Sequence, residues 1–218
     1  MLAALYLVFM VVPTEASMGI VQRIFYFHVP SAIVAFGAFF VVGGAGVVYL
    51  FGRGAGADRL ASASAEVGML FCTLVLVTGP LWAKPAWGVW WQEDDPNLRF
   101  SIILWTIYAG YLMLRAFGGE DDAVKRFAAV VGIIGALAIP IGMIAVRMRR
   151  SIHPVLLARR EGGTGLTDPW MQLAFLVSFV AIALLAGWLI HLRTREAWLT
   201  DEVAALRRQA VDQRGEMA

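Results

Sequence analysis

Two stretches without a charge, Val29 to Phe51 over 23 residues and Phe127 to Val146 over 20, constrain this chain more than any other feature. Each is near the length a helix needs to cross a hydrocarbon core of about 30 Å. A helix satisfies its own backbone groups where no water can do so. Further apolar stretches cover Val67 to Ala83, preceded by the small residues Ala61 to Ala65 and by Glu66, then Phe100 to Leu114 and Pro169 to Leu192. Met1 to Pro13 is apolar too, but as a helix it rises only about 20 Å, too short to span unless residues are missing upstream. No small-residue cleavage site follows it, so removal as a signal peptide is not expected.

The pattern predicts an all-α integral membrane protein, a six-transmembrane-helix bundle with an outer-face tryptophan-rich loop, as one domain over residues 1–192. Residues 193–218 form a polar tail in which Leu199, Val203, Leu206 and Ala210 fall on one helical face. A cytoplasmic amphipathic helix is expected there, lying on membrane lipid or docking a partner. The composition agrees, with 60% hydrophobic and 16% charged residues and a mean hydropathy of +0.71. The net charge of +2, from 18 basic and 16 acidic residues, sits in short connections and gives no reason to expect nucleic acid. Cys72 is the only cysteine, so the chain can build neither an internal disulfide nor a thiolate metal site.

Six crossings place the connections around Thr14 to His28, Trp82 to Arg99 and Arg147 to Asp168 on one face. His28, the tryptophans and His153 then share a side, and His191 lies across the membrane. The opposite connections and tail hold ten Lys or Arg against eight on the His28 face, which by the positive-inside rule leans towards His28 outside. Five of those eight, Arg147, Arg149, Arg150, Arg159 and Arg160, crowd into one loop as a local exception that points to an anionic ligand or to the reverse orientation.

Four of the eight tryptophans, Trp82, Trp87, Trp90 and Trp91, fall within Leu81 to Pro96. An interfacial belt accounts for one or two rings at a helix end. The density here also suits a platform of flat apolar faces with indole N–H donors, and Gly88 would let the backbone turn sharply beside it. His28, in Phe27-His28-Val29-Pro30, sits where the second span begins, with Pro30 expected in the helix's first turn. His153 is followed by Pro154. Each could be an interfacial side chain, but the pair shares a face with the tryptophans, and imidazoles are common axial ligands of haem iron. The arginines near His153, Arg147 and Arg149 among them, suit propionate carboxylates.

These segments resemble the CcmC family, relatives of the larger CcsA and CcmF haem-handling proteins. Gln22 to Ala32 is similar to that family's first histidine segment, Lys84 to Trp91 to the opening of its tryptophan-rich motif, and Ser151 to Pro154 to its second histidine loop. Glu93 stands where the motif has its last tryptophan, before Asp94; with one inserted residue, Asp95 takes the aspartate position. The resemblance implies His28 and His153 as axial ligands of a transiently bound haem b, with Trp87, Trp90 and Trp91 as its platform; the candidate site also takes in Trp82, Gly88, Asp94, Asp95, Arg147 and Arg149. It also implies a non-enzymatic role in cytochrome c maturation, in the bacterial plasma (inner) membrane with the haem site facing the periplasm or cell exterior. The implied partners are a CcmE-like haem chaperone, CcmA-like and CcmB-like transporter subunits and a small CcmD-like protein. A b-type cytochrome subunit and a small-solute permease are the rival readings. The first would need facing histidines within the spans, and the second ionisable groups at mid-membrane or matched broken helices.

Overall fold

The computed structural model describes the chain apart from residues 17, 53, 120, 149–165, 167, 217 and 218 and the side chains of 214–216. Among the described residues there is no strand, and a single isolated bridge joins Glu15 to Gly19. Helix α1 (Leu2–Tyr6) continues into a π-helical turn over Leu7–Val11, and a 3₁₀ turn over Ile20–Ile24 leads directly into α2 (Phe25–Gly52). Then follow α3 (Ala55–Trp87), α4 (Pro96–Phe117), α5 (Asp122–Met148) and α6 (Pro169–Glu216). The protein is an all-α membrane bundle. Among the described residues five helices are long and apolar enough to cross a membrane, and the apolar segment Leu2–Val11 is shorter and packs against α6.

Helix ends lie beyond the apolar runs because tertiary contacts carry them outward. Phe25 and Tyr26, ahead of the uncharged stretch, are buried, so α2 starts earlier than the sequence indicates. Pro30 consequently falls in the second turn of α2 and not the first, a position that neighbouring helices make tolerable in a membrane bundle. Helix α3 likewise runs through Pro80 and Pro85 to Trp87. Helix α6 passes residue 192 without a break, so the boundary between span and tail is not a break in secondary structure. Arg193 pairs with Glu66, and Arg59 with Asp201 at 2.7 Å, which holds this extension against the first turns of α3.

Helix α2 is central and packs on α3, α5 and α6. Gly43 and Gly46 let its backbone approach α5: a Cβ at Gly46 would lie 3.0 Å from the Ala129 carbonyl oxygen, and one at Gly43 would run into the Ala136 side chain. Small residues at such a crossing replace the hydrophobic drive that lipid cannot supply. On the next face Phe39 stacks flat on Tyr108 of α4, with ring centroids 3.7 Å apart. The Tyr108 hydroxyl lies 3.2 Å from the carbonyls of both Phe39 and Gly132, joining three helices at one buried donor.

The helices alternate in direction, so the starts of α2, α4 and α6 and the ends of α3 and α5 gather at one end of the bundle. The opposite end is closed by polar pairs. Arg115 of α4 makes a two-pronged contact to Asp58 of α3 at 2.5 and 2.9 Å, and the Tyr49 hydroxyl donates to Asp122 at 2.6 Å.

Candidate functional site at the His28 end

His28 is the fourth residue of α2 and is 9% exposed. Its Nδ1 lies 2.8 Å from the Thr78 hydroxyl oxygen on α3. One turn further along α3, the Trp82 ring stands 5.7 Å from the imidazole, edge to face. Trp82 in turn meets Phe25 at 5.9 Å and Trp87 at 6.1 Å, while Phe25 contacts Phe175 of α6 at 5.4 Å. Helical spacing produces this wall, since Thr78 and Trp82 are four residues apart and share a face. Packing of α2 on α3 then brings that face to His28.

A cavity of about 230 Å³ opens beside the imidazole between α2, α3 and α4, lined by His28, Phe36, Leu76, Trp82, Trp91 and Leu98 among others. Pockets that enclose a drug-sized ligand run to roughly 300–1,000 Å³. A flat ligand larger than this slot would be gripped along one edge and stand partly outside it. Trp82 is 4% exposed, yet its indole N–H has no hydrogen-bond acceptor among the described residues. A buried donor without an acceptor costs on the order of 1–3 kcal/mol. The Trp82 ring lines the cavity but the N–H itself is enclosed, so a ligand oxygen would accept from it only after the ring turns. One imidazole, the buried Trp82 and half-buried Trp91 indoles and aliphatic walls fit a planar apolar molecule with a metal centre. Haem has that chemistry.

The tryptophan strip is divided and not one platform. Trp82 and Trp87 belong to α3, which ends at Gly88 in a left-handed conformation (φ 79°), with the Gly88 amide donating to the Lys84 carbonyl at 3.0 Å. Trp91 returns to line the cavity, whereas Trp90 is 56% exposed. Asp94 pairs with Arg99 at 2.6 Å on the surface. Asp95 is buried and caps α4, accepting from the amides of Asn97 at 2.9 Å and Leu98 at 3.2 Å, with Pro96 at the first helical position. Arg147 is exposed in the last turn of α5, and Arg149 and His153 lie outside the described residues. His191 lies on α6, exposed, with its ring 6.2 Å from Trp188.

The structure thus brings His28, Trp82 and Trp91 to one cavity and keeps Trp87 one ring behind. Sequence reasoning missed Thr78 and the lining residues Phe36, Leu76 and Leu98. For Thr78 a signal existed, its position one turn before Trp82; for the others only helix packing selects the face.

Residues 1–209 match the family model of CcmC, heme exporter protein C. Heme exporter protein C of Rhodobacter capsulatus is 28% identical over 211 residues, covering 96% of this chain and 84% of the relative. The protein of the same name from Bradyrhizobium diazoefficiens is 32% identical over 180 residues, 80% of this chain and 68% of the relative. That of Escherichia coli K12 is 29% identical over 193 residues, 87% and 76% of the respective chains.

Proposed function

This chain belongs to the CcmC family, heme exporter protein C, and on that premise we propose that it holds haem transiently at the His28 end of the bundle and hands it to a chaperone. The coarser role is that of a multi-pass membrane protein of haem transport in cytochrome c biogenesis. One observation carries the finer reading: His28, Trp82 and Trp91 line a single cavity, and the indole N–H of Trp82 is buried with no acceptor among the described residues. His28 supplies an imidazole for iron, the indole faces cover the porphyrin, and the Trp82 N–H meets a carboxylate. By family resemblance His153 is the second axial ligand; Arg147 and Arg149, close to it in sequence, have the guanidinium chemistry that pairs with propionates. A slot smaller than its cargo favours release over permanent retention.

In this reading the cargo is haem b, no covalent bond is made or broken by this chain, and the site faces the periplasm or cell exterior of a bacterial inner membrane. The recipient is a CcmE-like haem chaperone, and CcmA-like, CcmB-like and CcmD-like proteins complete the assembly. The test is a pyridine haemochrome assay on the purified chain, with and without haem supplementation, repeated for His28→Gly. The expected result is substoichiometric haem b in the parent, little in His28→Gly and partial recovery on adding imidazole. A full complement that survives extensive washing would favour the b-type cytochrome instead. Haem content unaffected by His28→Gly would remove His28 as a ligand.

A further inference from the structure

The Thr78 hydroxyl has one proton to donate and two lone pairs to offer. Its proton is directed to the Leu74 carbonyl of its own helix, at 2.7 Å. Towards His28 Nδ1, at 2.8 Å, the same oxygen is therefore the acceptor and the imidazole the donor. A neutral imidazole protonated at Nδ1 carries its lone pair on Nε2, the nitrogen suited to a metal. One neighbour on the same stretch of α3 restricts the ring further: the Trp82 ring closes on the imidazole edge to face, 5.7 Å between centroids.

We propose that Thr78 is a positioning residue that fixes the tautomer and orientation of His28, so that Nε2 is the atom presented to haem iron. This rests on the reading of His28 as an iron ligand. The hydroxyl acts through His28 and has no role of its own at the iron. Outer partners of ligating histidines hold the ring and raise its donor strength, and losing one typically lowers metal affinity by about 10-fold to 100-fold. The back-bond from Thr78 to Leu74 contributes little to the helix itself, so the hydroxyl's main consequence falls on His28.

The experiment titrates hemin into the purified full-length chain in detergent and reads affinity from the Soret band for the parent, Thr78→Val, Thr78→Ser, His28→Gly and the double variant His28→Gly/Thr78→Val. Thr78→Val should weaken hemin binding about 10-fold or more, and Thr78→Ser, which keeps the hydroxyl, should restore parental affinity. Thr78→Ala supplies the same comparison should valine misfold the helix. In the His28→Gly background without added imidazole, adding Thr78→Val should leave the residual hemin affinity unchanged, because the residue it acts through is gone. An equal loss in both backgrounds would mean that Thr78 acts by general packing, and overturns the proposal. Parental affinity in Thr78→Val and Thr78→Ala beside haem loss in His28→Gly overturns it too, while leaving the function reading intact. Parental affinity in His28→Gly would sink the function reading first.

Discussion

At the end of the bundle remote from His28, polar groups meet in matched sets: Arg115 grips both oxygens of Asp58, Tyr49 donates to Asp122, and Arg193 reaches Glu66. At the His28 end, rings surround an imidazole, a cavity stays open, and a buried indole N–H lacks an acceptor among the described residues. The two ends face the same difficulty, polar atoms taken out of water, and resolve it differently. Where pairs satisfy each other, the structure closes on itself. Where a donor is left for something else, the fold carries a cost that a ligand can relieve. On the proposed function, the contrast separates stability from binding along one bundle axis.

Variants at the two ends should therefore fail in different ways. The largest stability loss is expected from Asp58→Ala, which strands the Arg115 guanidinium in a mostly buried position and should cost about 3–5 kcal/mol in detergent unfolding. Hemin affinity of the fraction that remains folded should be unchanged. A parallel loss of affinity would show that the ends are coupled and would break the comparison.

A smaller effect is expected from Gly43→Leu in the middle of the bundle, where the new side chain meets Ala136 on α5. Overpacking of that kind costs roughly 1–3 kcal/mol, read as a lower midpoint of thermal unfolding. An unaltered midpoint would mean that α2 and α5 do not approach as closely as described. The smallest stability change belongs to Trp82→Phe, which keeps a ring beside His28 and removes a donor the apoprotein does not use. Unfolding should shift by no more than about 1 kcal/mol, because the void left by the smaller ring is offset in part by removal of the unpaired donor. Hemin affinity should nevertheless fall about ten-fold or more, since a hydrogen bond to a charged acceptor contributes roughly 1.5–3 kcal/mol. Unchanged affinity would leave that indole without a ligand role.

Much of this architecture was legible before any coordinates. The uncharged runs named the solvent and located the spans, because charge is excluded from a hydrocarbon core. Counting crossings placed His28 and the tryptophans at one end and His191 at the other. The family resemblance rested on short segments at that same end. Less legible was the use of each loop residue. Asp95, expected near the ligand, serves as the cap of α4, which three consecutive residues, Asp95-Pro96-Asn97, could have suggested. The Asp58 and Arg115 pair was half visible: crossing parity puts both at the end opposite His28, but 57 residues of chain separate them.

The sequence by itself determined that this is a membrane bundle and which residues reach which end, since helix length and hydropathy fix depth along the bundle axis. Only the tertiary structure decided that Trp82 and Trp91 line the cavity while Trp90 faces outward, and that Thr78 meets His28. The reason is geometric. Each residue turns a helix by roughly 100°, so depth can be read from counting, whereas the direction a side chain takes around the axis depends on which neighbour the helix packs against.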